Sequence, residues 1–190
     1  MLQFYHTTRP KPIDGIIRYW PFERECQNMS LIQKVKRGIE QSGPIHLRSK
    51  INTRLEAAQN LLAFSIEGRR KNTFKGVYET VAVSSIPDMT NCHGWMKVPG
   101  ETLPPVGFDP SSDFYAIIYD FVSPSKLELG VVQAQLDFFY FIGFSVESLK
   151  ADNWEGKGLL VDFCDILSPL NKFWCSSLVR CEAGAMFRQR

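Results

Sequence analysis

Two oxygen-bearing side chains in the C-terminal third of the chain have the types and order of a magnesium site for phosphate transfer. Asn153 lies in a polar stretch, and nine residues later Asp162 follows the short apolar run 159–161. Amide and carboxylate oxygens are ligands that Mg²⁺ accepts in such sites. Asn153 and Asp162 are therefore the candidate metal ligands.

Each of these two residues also has a purely structural interpretation. An Asp at the end of an apolar strand often caps a helix or forms a turn, and an Asp-Asn pair before Gly156 is common turn chemistry. Only the combination of Asn153 with Asp162 favours a metal site.

Composition describes an ordinary globular chain. Of its 190 residues 44% are hydrophobic, 13% aromatic and 22% charged, which is enough apolar material for one domain or two small lobes. A net charge of +2 gives no electrostatic basis for binding nucleic acid. No apolar run reaches the length of a membrane span, so we expect no membrane association.

The cysteines argue against a disulfide framework or a zinc ribbon. There are five, an odd number, and none belongs to a Cys-x-x-Cys pair. The N-terminal residues also lack the long apolar segment of a secretory signal. We expect free thiols and a cytoplasmic or nuclear protein.

The N-terminal half gives mixed signals. Residues 15–20 are strand-like, and from Ser30 apolar residues recur every fourth position, which predicts a short amphipathic helix ending before Gly43. Residues 51–62 have helical spacing, although 61–66 fits a strand equally well. The type of element at 74–86 stays open, with one helical face visible in its spacing.

The C-terminal half is clearer. Residues 99–112 are dense in Pro and Gly, which predicts a loop, and 114–122 form the strongest strand signal, apolar enough for burial on both faces. Residues 131–144 are apolar almost all round and predict a buried helix. Residues 158–163 predict a second short buried strand.

In this order the elements resemble the middle of the protein-kinase-like fold, in particular the diverged kinase-like proteins of fungi that are related to aminoglycoside phosphotransferases. Leu149-Lys150-Ala151-Asp152-Asn153 is similar to the catalytic loop and Asp162-Phe163-Cys164 to the Asp-Phe-Gly signature. The resemblance covers roughly residues 60–170.

The resemblance implies a site for ATP and Mg²⁺. Asp120 and Val122 would lie in the hinge that faces the adenine, and Glu79, on a helix, would be the Glu of the ion pair. Asn153 and Asp162 would hold the metal.

Departures from the family pattern imply lost catalysis. Ser148 stands at the position of the catalytic base, and a base of this kind is usually worth about 10²- to 10⁴-fold in rate. Asp152 is an alternative acid or base. No Gly-rich phosphate loop is visible, the run 62–66 contains no strand Lys, and Cys164 replaces a Gly.

The resemblance therefore implies an α+β fold of one truncated kinase-like domain, 1–190. Residues 61–122 would be similar to the N-lobe, 123–190 to the start of a C-lobe that is largely missing, and 1–60 remain unassigned. The first expectation is a non-catalytic binding or regulatory module, with weak nucleotide binding or a protein partner. An active phosphotransferase with an unusual base and an incomplete product that does not fold alone are the alternatives.

Overall fold

The computed structural model describes residues 1–11, 20–146, 149–176 and 181–187. Within these ranges helices and small antiparallel sheets are mixed, which confirms the α+β class. The strands are β1 Leu2–His6, β2 Ile45–Arg48, β3 Thr80–Val83, β4 Cys92–Pro99, β5 Asp113–Tyr119, β6 Ser145–Val146, β7 Trp154–Glu155, β8 Leu159–Leu160 and β9 Ile166–Leu167. The helices are α1 Pro21–Ser42, α2 Arg54–Leu62, α3 Ile66–Lys71, α4 Leu129–Phe141 and α5 Ala183–Met186.

The largest sheet has three antiparallel strands in the order β1-β5-β4. The strongest strand signal of the sequence is thus the central strand, because β5 lies between two partners and buries residues on both faces. The strand ends at Tyr119, three residues before the predicted end. The residues that follow connect β5 to α4 without regular structure.

Helix α1 is much longer than the sequence predicted. It begins at Pro21, whose fixed φ suits the first turn of a helix, and it ends at Ser42, where the next residue, Gly43, has φ 70°. Phe22, Met29 and Ile32 continue the apolar face toward the N-terminus, and all three are buried. The predicted start at Ser30 is therefore wrong by about two turns.

Residues 45–83 form a hairpin-like unit in which β2 pairs with β3, and α2 and α3 lie between these two strands in the sequence. The helical interpretation of 51–62 is confirmed by α2, which begins with a capping box between Thr53 and Glu56. The strand alternative for 61–66 is wrong. The helical spacing within 74–86 is also misleading, because the regular element there is strand β3.

Helix α4 confirms the predicted buried helix, although it begins two residues and ends three residues earlier. The turn that follows it packs closely on α2: Gly143 has φ 86°, and a Cβ there would lie 2.4 Å from the Ala57 carbonyl oxygen. Beyond α4, β6 pairs with β9 and β7 pairs with β8. The predicted strand 158–163 is shortened to β8.

The N-terminal region that the sequence left unassigned belongs to the main core. Strand β1 pairs with β5, and α1 supplies much of the apolar cluster that also contains α4 and the residues around Phe163. The predicted strand at 15–20 lies, apart from its last residue, outside the described residues. No helix in the described part of the chain is long and apolar enough to cross a membrane.

Candidate functional site

The β7–β8 hairpin brings the two predicted metal ligands close together in the backbone. Trp154 is paired with Leu160, and the Val161 N–H donates to the Asn153 carbonyl oxygen at 2.9 Å. Asp162 is the next residue after Val161, two residues beyond the end of β8. The short interval between Asn153 and Asp162 is therefore the length of a tight hairpin.

The side chain of Asn153 is used by its own loop. Its Oδ1 accepts from the Lys150 backbone N–H at 2.6 Å, and its Nδ2 donates to Asp165 Oδ2 at 3.3 Å. The residue is 5% exposed. These bonds fix the turn 150–153, and a shared metal with Asp162 stays a prediction.

Asp162 instead groups with Glu25 and Cys164. One ligand atom from each of these three residues lies within 4.8 Å of the other two. Asp162 Oδ1 accepts from the Cys164 backbone N–H at 2.9 Å, which closes a small turn after the Asp-Phe pair. Cys164 itself is not among the residues with positive φ, so the Cys in place of Gly causes no left-handed strain.

Glu25 is fully buried at the centre of this cluster. Its Oε1 accepts from the Tyr119 hydroxyl on β5, and its Oε2 accepts from the Tyr5 hydroxyl on β1. Gln3, on the same face of β1, has its Oε1 3.1 Å from the Tyr5 hydroxyl. The carboxyl group is therefore held between two phenols at the junction of β1, α1 and β5.

Burial controls the ionisation of this cluster. It raises the pKa of Glu25 to about 7, with a further increase from the Asp162 carboxylate, while the two tyrosine hydrogen bonds act in the opposite direction. Burial and the neighbouring Glu25 also raise the pKa of both tyrosines. The pKa of Cys164 is raised by burial and by Asp162.

Side chains of helix α1 also form hydrogen bonds with the segment 163–166. Asn28 is buried, and its Nδ2 donates to the carbonyl oxygens of Phe163 and Ile166, each at 2.8 Å. Arg24 Nη1 donates to the Cys164 carbonyl oxygen at 3.1 Å. One helix thus positions the residues that follow Asp162.

Glu79 does not lie on a helix, and this part of the sequence analysis is wrong. It is in the left-handed region with φ 60°, directly before β3, and its carbonyl oxygen accepts from the Ser49 N–H. Its carboxylate forms an exposed ion pair with Lys50 at 2.9 Å. The residues before Glu79 form turns, so their helical spacing in the sequence does not correspond to a helix.

The predicted hinge residues follow β5. The Asp120 carboxylate accepts from Asn91 Nδ2 at 2.7 Å and lies 2.6 Å from His93 Nε2, and the His93 contact is the main reason why the pKa of Asp120 is lowered. Val122 is half-buried against the β7–β8 turn, where a Cβ on Gly156 would lie 2.7 Å from its Cγ1.

Of the two candidates for the catalytic base, Asp152 and Ser148, the structure describes the first. Asp152 is exposed, in the short 3₁₀ turn 151–153. Ser148 lies outside the described residues.

Sequence reasoning missed Glu25 and Asn28, although a signal was present. Both occur at helical spacing with Phe22, Met29 and Ile32, so they are polar residues on the apolar face of α1. A polar residue in such a position is buried only with hydrogen-bond partners. The signal was lost because the predicted helix began at Ser30.

Comparisons of the chain with protein-family models, with curated proteins and with solved structures found no match.

Proposed function

We propose that this chain is a degenerate kinase-like domain that acts by binding, as a regulatory module, and does not transfer phosphate. The observation that carries the proposal is the position of Glu25 between Tyr5 and Tyr119, next to Asp162.

The order of parts supports the kinase-like assignment. In protein kinases a Lys on a strand pairs with a Glu on the following helix, and the pair works together with the Asp of the Asp-Phe-Gly signature. Here strand β1 is followed by α1, Glu25 of α1 contacts Tyr5 of β1, and Asp162 lies beside Glu25. In this proposal Glu25, not Glu79, is the counterpart of the kinase Glu.

The identity of Tyr5 supports loss of catalysis. A strand Lys holds ATP phosphates by its charge, whereas the half-buried phenol of Tyr5 is uncharged, and its pKa is raised by burial and by Glu25. The amide of Asn153 is also engaged by Lys150 and Asp165. Tyr5 and Asn153, which stand at two positions that a kinase uses to bind phosphate and metal, are thus held by hydrogen bonds within the protein.

A gain-of-function substitution tests this proposal. Tyr5→Lys replaces a Tyr–Glu25 hydrogen bond by an ion pair and places an ammonium group in the cluster beside Asp162. Since a charge-assisted bond is worth about 1.5–3 kcal/mol, we expect affinity for Mg²⁺-ATP to rise about tenfold or more over the natural chain. The measurement is calorimetric titration with ATP in the presence and absence of Mg²⁺.

Controls separate charge from shape. Tyr5→Met has similar bulk without charge and should gain no affinity, and adding Asp162→Ala to Tyr5→Lys should remove the Mg²⁺-dependent gain. A folded Tyr5→Lys variant with unchanged affinity contradicts the assignment of β1 and α1. Release of labelled γ-phosphate to water or to any acceptor by the natural chain contradicts the non-catalytic assignment.

A further inference from the structure

A cavity of about 490 Å³ lies in the unit 45–83 and involves none of the residues around Glu25. It is bounded by the end of β2, by α2, by α3 and by the residues that follow α3. Its volume is in the range of small-molecule sites. Residues that line it include Arg48, Leu62, Ala63, Glu67, Lys71 and Phe74.

Arg48 is a cation of the lining that could bind an anionic ligand. Its guanidinium carbon lies 5.2 Å from the centroid of the Phe74 ring, which is within the range of a cation–π contact. Its Nε is shielded from solvent and has no hydrogen-bond partner among the described residues. A guanidinium held in this way can present its remaining N–H groups as a fork to a carboxylate or phosphate.

The charges around the cavity favour an anion. Lys71 is the second cation of the lining, and neither Arg48 nor Lys71 forms an ion pair with any described residue. Glu67 is the one lining carboxylate, and it is exposed on α3. The Glu56 carboxylate accepts from the backbone N–H groups of Asn52 and Thr53, which mainly lower its pKa, and the charge of Arg48 contributes to the lowering without a direct ion pair.

The rest of the lining is apolar. Phe74 is buried, whereas Leu62 is 59% exposed although it is a large apolar side chain at the end of α2. A ligand with an apolar body would cover Leu62 and stack near Phe74 while its charged group met Arg48.

We propose that this cavity binds a small organic anion, consisting of a carboxylate or phosphate group on a compact apolar body. Arg48 and Lys71 bind the anionic group, and Leu62, Ala63 and Phe74 contact the body. The site is independent of the kinase-like proposal, because it shares no residue with the Glu25 cluster.

The test uses four probes with the natural chain at low salt: 3-phenylpropionate, phenyl phosphate, the neutral 3-phenylpropan-1-ol and inorganic phosphate. We expect an aryl anion to bind with Kd on the order of 0.1–1 mM, because the binding free energy of a ligand with so few non-hydrogen atoms is limited. The neutral alcohol and inorganic phosphate should bind at least about tenfold more weakly, because each lacks one half of the recognition. The two aryl anions distinguish a carboxylate site from a phosphate site.

Charge-removing variants locate the site. Arg48→Gln and Lys71→Gln should each weaken binding of the aryl anion, Arg48→Gln by about tenfold or more. Lys75→Gln removes the same charge from an exposed residue outside the lining and should have no effect. If Arg48→Gln does not fold, the exposed Lys71 decides the outcome.

Three results would overturn the proposal: no binding of either aryl anion, equal binding of the neutral alcohol, or equal affinity in folded Lys71→Gln and Lys75→Gln. Chemical shift changes in an ¹⁵N spectrum provide the location, and they should fall on residues 48, 62–63 and 71–74.

Discussion

Glu25 lies where β1, α1 and β5 meet, with one tyrosine hydroxyl on each carboxylate oxygen. A fully buried carboxylate would be strongly unfavourable without such donors. Two phenols stabilise it by hydrogen bonding without the charge of a Lys. Burial outweighs these hydrogen bonds, so the pKa of Glu25 is raised to about 7.

This raised pKa predicts how stability depends on pH. The folded protein binds the Glu25 proton more tightly than the unfolded chain, so the contribution is complete below pH 4.5 and is lost as pH rises through about 7. We expect the free energy of unfolding to fall by about 3 kcal/mol over this interval from Glu25. Urea denaturation between pH 4.5 and 8 measures it.

Glu25→Gln tests the source of this dependence. The neutral amide keeps the shape, and Tyr5 can accept from it while donating to Gln3, so the loss of stability across this interval should largely disappear. Glu40→Gln, on the exposed side of the same helix, should leave the pH dependence unchanged. If Glu25→Gln retains the full dependence, another group is responsible.

At the scale of elements, α1 connects the sheet to the segment that follows Asp162. Its Glu25 faces β1 and β5, and one turn later its Asn28 holds the carbonyl groups of Phe163 and Ile166. The position of Asp162 therefore depends on the docking of a helix more than a hundred residues earlier in the chain.

Asn28→Ala should destabilise the protein by about 2–4 kcal/mol, because it leaves two buried carbonyl groups without a donor. Gln27→Ala, at the exposed neighbouring position, should change stability by no more than about 0.5 kcal/mol. Urea denaturation at pH 5 measures both changes in the free energy of unfolding. Equal effects of the two substitutions would show that the Asn28 bonds contribute nothing net.

At the scale of the whole molecule, one apolar cluster joins residues from α1, β2, α4, β8 and α5. A smaller cluster around Ala57 and Trp174 is connected to α4 by Tyr140, which packs against it, and Trp174 Nε1 donates to the Gly143 carbonyl oxygen just after that helix at 2.9 Å. The described elements therefore share a continuous set of buried contacts.

We expect the chain to unfold in a single cooperative transition, because no described element has a core of its own. Far-ultraviolet circular dichroism and tryptophan fluorescence should give the same midpoint in urea. Separate midpoints would contradict a common core. Aggregation without a transition would favour the alternative that the chain does not fold alone.

Elements whose signals are local were predictable. The continuous apolar run of β5, the all-round apolarity of α4 and the Pro and Gly residues of 99–112 each determine local structure within a few residues. The start of α1 was missed because the polar residues Glu25 and Asn28 interrupt its apolar face. The strand at 80–83 was missed because its apolar residues also fit helical spacing, and only pairing with β2 decides between the two.

The sequence by itself determined the doubly buried strand, the buried helix and the presence of Asn153 and Asp162 nine residues apart, and the resemblance implied the α+β class. Only the tertiary structure decided that Asn153 serves its own loop, that Glu79 pairs with Lys50, and that Glu25 lies beside Asp162. The physical reason is that a buried polar residue must find partners, but its spacing in sequence does not specify which distant strand or loop will provide them.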